Sequence, residues 1–225
     1  MEIKDLHHWT LTYAEARALQ TQLARQVKLR PIGRSIRSVA GLDCAVDKKA
    51  GRILAAVVVM SFPGLQVIET AAACAELTFP YVPGLLSFRE SPVCLAAAAK
   101  LRTTPDLFLI DGQGIAHPRR LGLASHLGLF LDRPTIGCAK SRLIGTYDEP
   151  GPNKGDTSPL CDGDQTLGAV VRTRTGVKPL FISPGHLCTL EDAIFVTLLL
   201  TDRYRLPEPT RLAHQQVTAF KKKRC

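Results

Sequence analysis

The chain has 225 residues, 45% of them hydrophobic and 22% charged, enough apolar mass to bury one sizeable core. No apolar run approaches the ~20 residues of a bilayer span, and the opening MEIKDLHHWT carries neither a hydrophobic stretch nor a small-residue cleavage site, so neither a membrane protein nor an exported one is expected, but a cytoplasmic one. Lys and Arg number 29 against 20 Asp and Glu, a formal charge of +9, which favours a polyanionic partner because each cation placed against a phosphate releases condensed counterions.

Over residues 12–29 the apolar side chains Ala16, Leu19, Leu23 and Val27 recur every three or four positions, and Thr12 with Glu15 has the form of a capping box, predicting an amphipathic first helix. Residues 39–46, 53–62 and 65–77 read as strands separated by the turn-like 47–51 and by Pro63-Gly64; connections this short imply an antiparallel meander. The rhythm then changes. A helix is predicted over 92–101, a strand at 107–110, a helix near 123–130 and a strand at 135–139, an alternation that suggests parallel α/β pairing. Residues 148–164, rich in Pro, Gly and Asp, read as an exposed loop. Strands at 167–172 and 178–182 and helices over 190–201 and 210–220 complete the chain.

A three-strand meander feeding parallel α/β units is the layout of a ribonuclease H-like fold: α/β, with a central mixed sheet flanked by helices. One domain spanning 1–225 is expected, with the basic run 221–225 as a flexible tail. The seven cysteines, Cys44, Cys74, Cys94, Cys138, Cys161, Cys188 and Cys225, contain no C-x-x-C pair. That spacing fits free thiols better than a disulfide framework or a zinc site, although a single pair made in the fold stays open.

Phosphodiester hydrolysis near neutral pH needs charge neutralisation and an activated water, which a carboxylate-bound Mg²⁺ supplies together. Asp43 interrupts the apolar run 39–46, and Asp111 follows the run 107–110. Each is either a turn former at a strand exit or a metal ligand where ligands gather in open α/β sheets. Glu90 offers a third acid, or a surface residue in a first helical turn. Lys140 ends the run 135–139, either as a phosphate or water-orienting cation or as a solvated strand end. His117, Arg119 and Arg120 are candidate phosphate donors or an ordinary basic loop. Tyr81, between Pro80 and Pro83, is either a rigid aromatic wedge that replaces a displaced base or a turn residue folded on the core. Gly112 and Gly114 allow close backbone approach, either to a ligand or within a tight turn.

Taken in order, GLDCAV at 41–46, PYVPGLLSFRE at 80–90, DGQGIAHPRRLGLASHLGL at 111–129, PTIGCAKSRLIG at 134–145, PLFISPGH at 179–186 and YRLPEPTRLAH at 204–214 closely resemble the endonuclease V family, over nearly the whole chain. The resemblance implies a ribonuclease H-like, Mg²⁺-dependent nuclease of nucleic-acid repair, with Mn²⁺ as a substitute. It implies a nick at the second phosphodiester bond 3′ to a deaminated purine in DNA or RNA, leaving 3′-hydroxyl and 5′-phosphate ends. Carried over residue by residue, it makes Asp43 and Asp111 metal-binding carboxylates and places Glu90 in the acidic cluster. Lys140 becomes the active-site lysine, Tyr81 the strand-separating wedge, and Gly84, Leu85, Gly112 and Gly114 the pocket for the extruded base. His214 lies where family members carry either Asp or His, and is an auxiliary metal or phosphate ligand or a helix histidine without one. For His186 a structural hydrogen bond is expected. A monomer is the default. The rivals are another ribonuclease H-like nuclease, such as a junction resolvase or hybrid-cleaving enzyme, and a non-catalytic nucleic-acid-binding module.

Overall fold

Thr12 caps helix α1 (Tyr13–Ala24) as its sequence demands: Glu15 N–H donates to Thr12 Oγ1 at 3.3 Å, and Thr12 N–H donates to Glu15 Oε2 at 2.7 Å. The structure is a computed structural model describing residues 1–33 and 35–224. The helix ends well before residue 29, because the backbone there is drawn to another element. Lys28 N–H donates to His186 Nδ1 at 3.2 Å, and Lys28 O accepts from Leu187 N–H at 2.7 Å.

Strands β1 (Ser38–Asp47), β2 (Arg52–Ser61) and β3 (Val67–Glu76) form the expected antiparallel meander. Helix α2 (Leu86–Ala98) leads to β4 (Leu107–Ile110), and α3 (Leu123–Leu131) to β5 (Thr135–Ala139); β1, β4 and β5 lie parallel. A hairpin of β6 (Thr157–Asp162) and β7 (Gln165–Val171) is followed by β8 (Leu180–His186), which pairs antiparallel with β5. The eight strands make one sheet in the order β3-β2-β1-β4-β5-β8-β7-β6, a ribonuclease H-like arrangement. The chain closes with α4 (Leu190–Leu199) and α5 (Glu208–Arg224).

Alternation along the strands assigns the two faces. Ala40, Leu42, Phe108 and Ile110 pack with Val93 and Ala97 of α2 and Leu127 of α3. Val39, Leu107, Leu109 and Ile136 pack on the other side with Ala193 and Val196 of α4 and Ala213 of α5. Four-residue β4 is buried on both faces, as a central parallel strand must be.

Three expectations need correction. α2 starts at Leu86, not 92, and carries Pro92 inside it; the buried face formed by Phe88, Val93, Cys94 and Ala97 offsets the missing N–H. The segment 148–164 is not one loop, since β6 occupies its second half. Only Leu160 of β6 is buried, so the strand has little apolar signal, and Pro159 is tolerated at the sheet edge. Residues 221–224, expected as a flexible tail, continue α5, with Lys221 Nζ donating to Val46 O at 2.8 Å; Cys225 lies outside the described residues. The six described cysteines are free thiols. No described helix is long and apolar enough to cross a membrane.

Candidate active site

Strand register builds the centre of the site. Leu42 of β1 pairs with Ile110 of β4, the last residue of that strand, so Asp43 and Asp111 are the next residues on two parallel neighbours. Asp111 N–H donates to Leu42 O at 3.2 Å, which fixes the turn out of β4. Being odd-numbered like Val39 and Leu109, both carboxylates belong to the face covered by α4 and α5.

Gly41 supplies the third group. A Cβ at Gly41 would stand 2.0 Å from Pro209 O, so only glycine lets the first turn of α5 rest on β1. Two residues on along the same face, Asp43 then meets α5 at His214, whose Nδ1 lies 2.7 Å from Asp43 Oδ2. Donor atoms of Asp43, Asp111 and His214 all lie within 4.8 Å of one another. Asp43 is only 8% exposed, and burial, followed by the facing charge of Asp111, raises its pKa. Two converging carboxylates that resist ionising together, plus one imidazole, are a donor set that fits a hard divalent cation, whose charge would relieve the repulsion.

Glu90 approaches from the other face. Cys44, one residue after Asp43, turns towards α2, where its thiol is the side-chain partner of Glu90 and of Cys94. Burial pushes Glu90 up to about 7, with the charges of Asp43 and Asp111 adding to the rise. Glu90 therefore adjoins the acidic pair but is not one of the three converging donors. Lys140, just past β5, forms an ion pair with Asp111. Its carbonyl accepts from Arg205 Nη2 at 3.0 Å, a support that no local sequence signal marks.

Beside the cluster is a pocket of about 100 Å³ lined by Tyr81, Val82, Gly84, Leu86, Ser87, Gln113, His117 and Leu143, among others. Tyr81 is 67% exposed, with the Arg89 guanidinium 5.9 Å from its ring centre, so it is not folded on the core. Gly84 has φ +76°, and a Cβ there would meet Arg119 Nη2 at 2.8 Å.

The other expected pocket positions are closely packed. Leu85 is fully buried with Ala16, Phe79 and Phe88; because α2 begins at Leu86, its helical phase aims Leu86 at the pocket instead. Both glycines have close neighbours: a Cβ at Gly112 would meet Leu123, itself a lining residue of the pocket, at 3.2 Å, and a Cβ at Gly114 would meet Pro184 O at 2.1 Å. A larger cleft of about 290 Å³, lined in part by Arg30, Asp106 and Arg133, lies at the amino-terminal ends of β4 and β5, away from Asp111 and Lys140.

The basic loop is tied into the pocket wall and the neighbouring hairpin. His117 is buried in the pocket wall with Nε2 3.1 Å from Gly84 O, and burial lowers its pKa to about 4, so it is neutral near pH 7. Arg119 donates to Gly84 O at 2.7 Å and to Gln20 Oε1 at 2.5 Å. Arg120 donates to Asp162, Gln165 and His117 O. These guanidinium groups brace the pocket wall and the β6–β7 hairpin, Arg119 through two hydrogen bonds and Arg120 through three. His186 makes the expected structural bond, accepting from Lys28 N–H.

Comparison with known proteins places this geometry. The family model for endonuclease V matches residues 21–215. The chain is 52% identical over 220 residues to the endonuclease V of Alkalilimnicola ehrlichii, covering 97% of each. The crystal structure of Streptomyces avermitilis endonuclease V superposes with a TM-score of 0.91 at 42% identity, covering 100% of both chains. Endonuclease V of Ciona intestinalis, crystallised with a 24-mer DNA containing an inosine followed by a ribo-adenosine, superposes with a TM-score of 0.80 at 29% identity, over 93% of this chain and 98% of that one.

Proposed function

The chain belongs to the endonuclease V family and is a nuclease; we propose that it nicks DNA or RNA at the second phosphodiester bond 3′ to a deaminated purine, leaving 3′-hydroxyl and 5′-phosphate ends. The observation that carries the reading is the convergence of Asp43, Asp111 and His214 next to a pocket rimmed by exposed Tyr81. The inosine-containing DNA bound by the Ciona enzyme supports the substrate class.

Asp43, Asp111 and His214 are the residues that would hold Mg²⁺, or Mn²⁺ in its place, and the bound cation would neutralise the scissile phosphate and lower the pKa of a water. Tyr81 enters the stack and offsets part of the few kcal/mol that unstacking a base costs. The pocket behind it receives the deaminated base. Lys140, held by Asp111 and by the Arg205 contact to its carbonyl, steadies negative charge that develops at the phosphate. Glu90 completes the acidic cluster from the α2 side. The whole activity resides in one catalytic domain working as a monomer in the cytoplasm.

The test is product mapping on single-site inosine strands of DNA and of RNA, run in parallel with matched undamaged strands and with and without divalent cation. The expected outcome is one nick, one nucleotide beyond the base's own 3′ phosphate, seen only with the cation. Cutting of junctions or RNA–DNA hybrids that lack inosine would favour a different ribonuclease H-like nuclease.

A further inference from the structure

Behind the pocket wall runs a line of hydrogen bonds, exposed at its His7–His8 end and buried at His126, whose polarity is fixed from one end. His7 Nδ1 lies 2.8 Å from His8 O, and a carbonyl oxygen can only accept, so Nδ1 carries the hydrogen. Burial lowers the pKa of His7 and takes that of His126 to about 3, so both rings are neutral and His7 Nε2 is an acceptor. His126 Nε2, 2.8 Å away, must donate to it. That leaves His126 Nδ1 as an acceptor, and the Ser87 hydroxyl, 3.0 Å away, must direct its hydrogen there.

Ser87 lines the pocket and is 2% exposed. With its hydrogen committed inward, its oxygen has only lone pairs to offer. Gln113, a second lining residue at 8% exposure, adds another acceptor: one of the two hydrogens on its Nε2 goes to Ser141 O at 2.9 Å, and its buried Oε1 has no hydrogen-bond partner among the described residues.

We propose that Ser87 Oγ and Gln113 Oε1 give this wall of the pocket its acceptors, so that it favours bases presenting a ring N–H over those with a bare ring nitrogen. His126 and His7 are positioning residues that lock the polarity of Ser87. The inference rests on the pocket being the receptor for the extruded base. Deamination of adenine converts a bare ring nitrogen into N1–H, so the lactam base supplies the donor that these oxygens need, whereas adenine N1 would set acceptor against acceptor. Each buried acceptor left unmatched weakens binding by roughly fivefold to a hundredfold.

The test compares strands carrying hypoxanthine with strands carrying unsubstituted purine, whose N1 bears no hydrogen, by competition binding on an Asp111→Asn background. The readout is the ratio of the two dissociation constants. Ser87→Ala is expected to shrink the preference for hypoxanthine by about fivefold or more. His7→Phe keeps the ring packing on Trp9 and Phe130 but frees His126 to carry its hydrogen on Nδ1. The Ser87 hydroxyl then turns into the pocket as a donor, so affinity for the purine strand is expected to rise.

A Ser87→Ala ratio within twofold of the parent, equal losses on both strands, or a ratio unmoved by His7→Phe would each overturn the proposal. Leu143→Trp, which fills the pocket, separates the two levels of failure. If that variant keeps its preference for hypoxanthine, the base-pocket reading itself fails. If it loses the preference while Ser87→Ala does not, only the acceptor-wall inference fails.

Discussion

Replacing Glu90 by Gln should stabilise the metal-free protein at alkaline pH while leaving it nearly unchanged at acid pH. Glu90 has its ordinary value of 4.5 in the unfolded chain and ionises at about 7 in the fold, chiefly because it is buried. Below pH 4.5 both states hold the proton, and Glu90 has no effect on the pH dependence. Between 4.5 and about 7 only the folded state holds it, so stability falls as pH rises; above about 7 the penalty is complete. At about 1.4 kcal/mol per pH unit, that interval corresponds to about 3 kcal/mol, which the amide of Gln does not incur. Urea unfolding in EDTA at pH 4.5 and pH 8.5 measures it. The two proteins should agree within about 0.5 kcal/mol at the lower pH, with the Gln variant ahead by up to about 3 kcal/mol at the higher. A gap of the same size at both pH values, or a less stable variant at pH 8.5, would refute the burial argument.

Tyr81→Ala should weaken binding to inosine sites by about tenfold or more relative to undamaged strands, without lowering stability, because the ring is largely exposed; equal losses on both strands would reduce Tyr81 to a general contact. His214→Ala should raise the Mg²⁺ concentration needed for half-maximal nicking by about tenfold or more, with activity recovering at high Mg²⁺, and an unmoved titration midpoint would remove His214 from the metal site.

The sheet and the acidic pair were legible because the signals are local. An apolar run is interrupted at Asp43 and another ends at Asp111, and the alternation of strands and helices suggests parallel pairing; the β1–β4 register then sets the two residues side by side. His214 was less legible, since its approach to Asp43 depends on Gly41 admitting the backbone of Pro209, a fit between β1 and α5 that neither segment reveals alone. Helical phase decided the pocket. A helix start at Pro92 gives no phase for Leu85 and Leu86, which the resemblance places by motif alone; with α2 starting at Leu86, the Leu85 side chain is buried and Leu86 lines the cavity. Gly112 and Gly114 read equally well as ligand-facing or packing-limited, and the contacts a Cβ would make, with Leu123 of the pocket lining and with Pro184 O, add the packing constraint that sequence does not show. Arg119 and Arg120 looked free because their acceptors, Gln20, Gly84 O, Asp162 and Gln165, come from other segments. Ser87 and His126 lie inside two of the family motifs, but nothing local links them to each other or to His7 until the fold lines the three up.

The most direct measurement is paired binding and cleavage by Asp111→Asn on an inosine-containing strand in Mg²⁺. Asn keeps the shape of the side chain and removes the charge that faces Asp43 and Lys140. The account predicts binding within a few-fold of the parent, with single-turnover cleavage slowed by at least about a hundredfold. Near-normal cleavage by the variant would contradict the assignment of Asp111 and Asp43 as the acids at which the strand is cut.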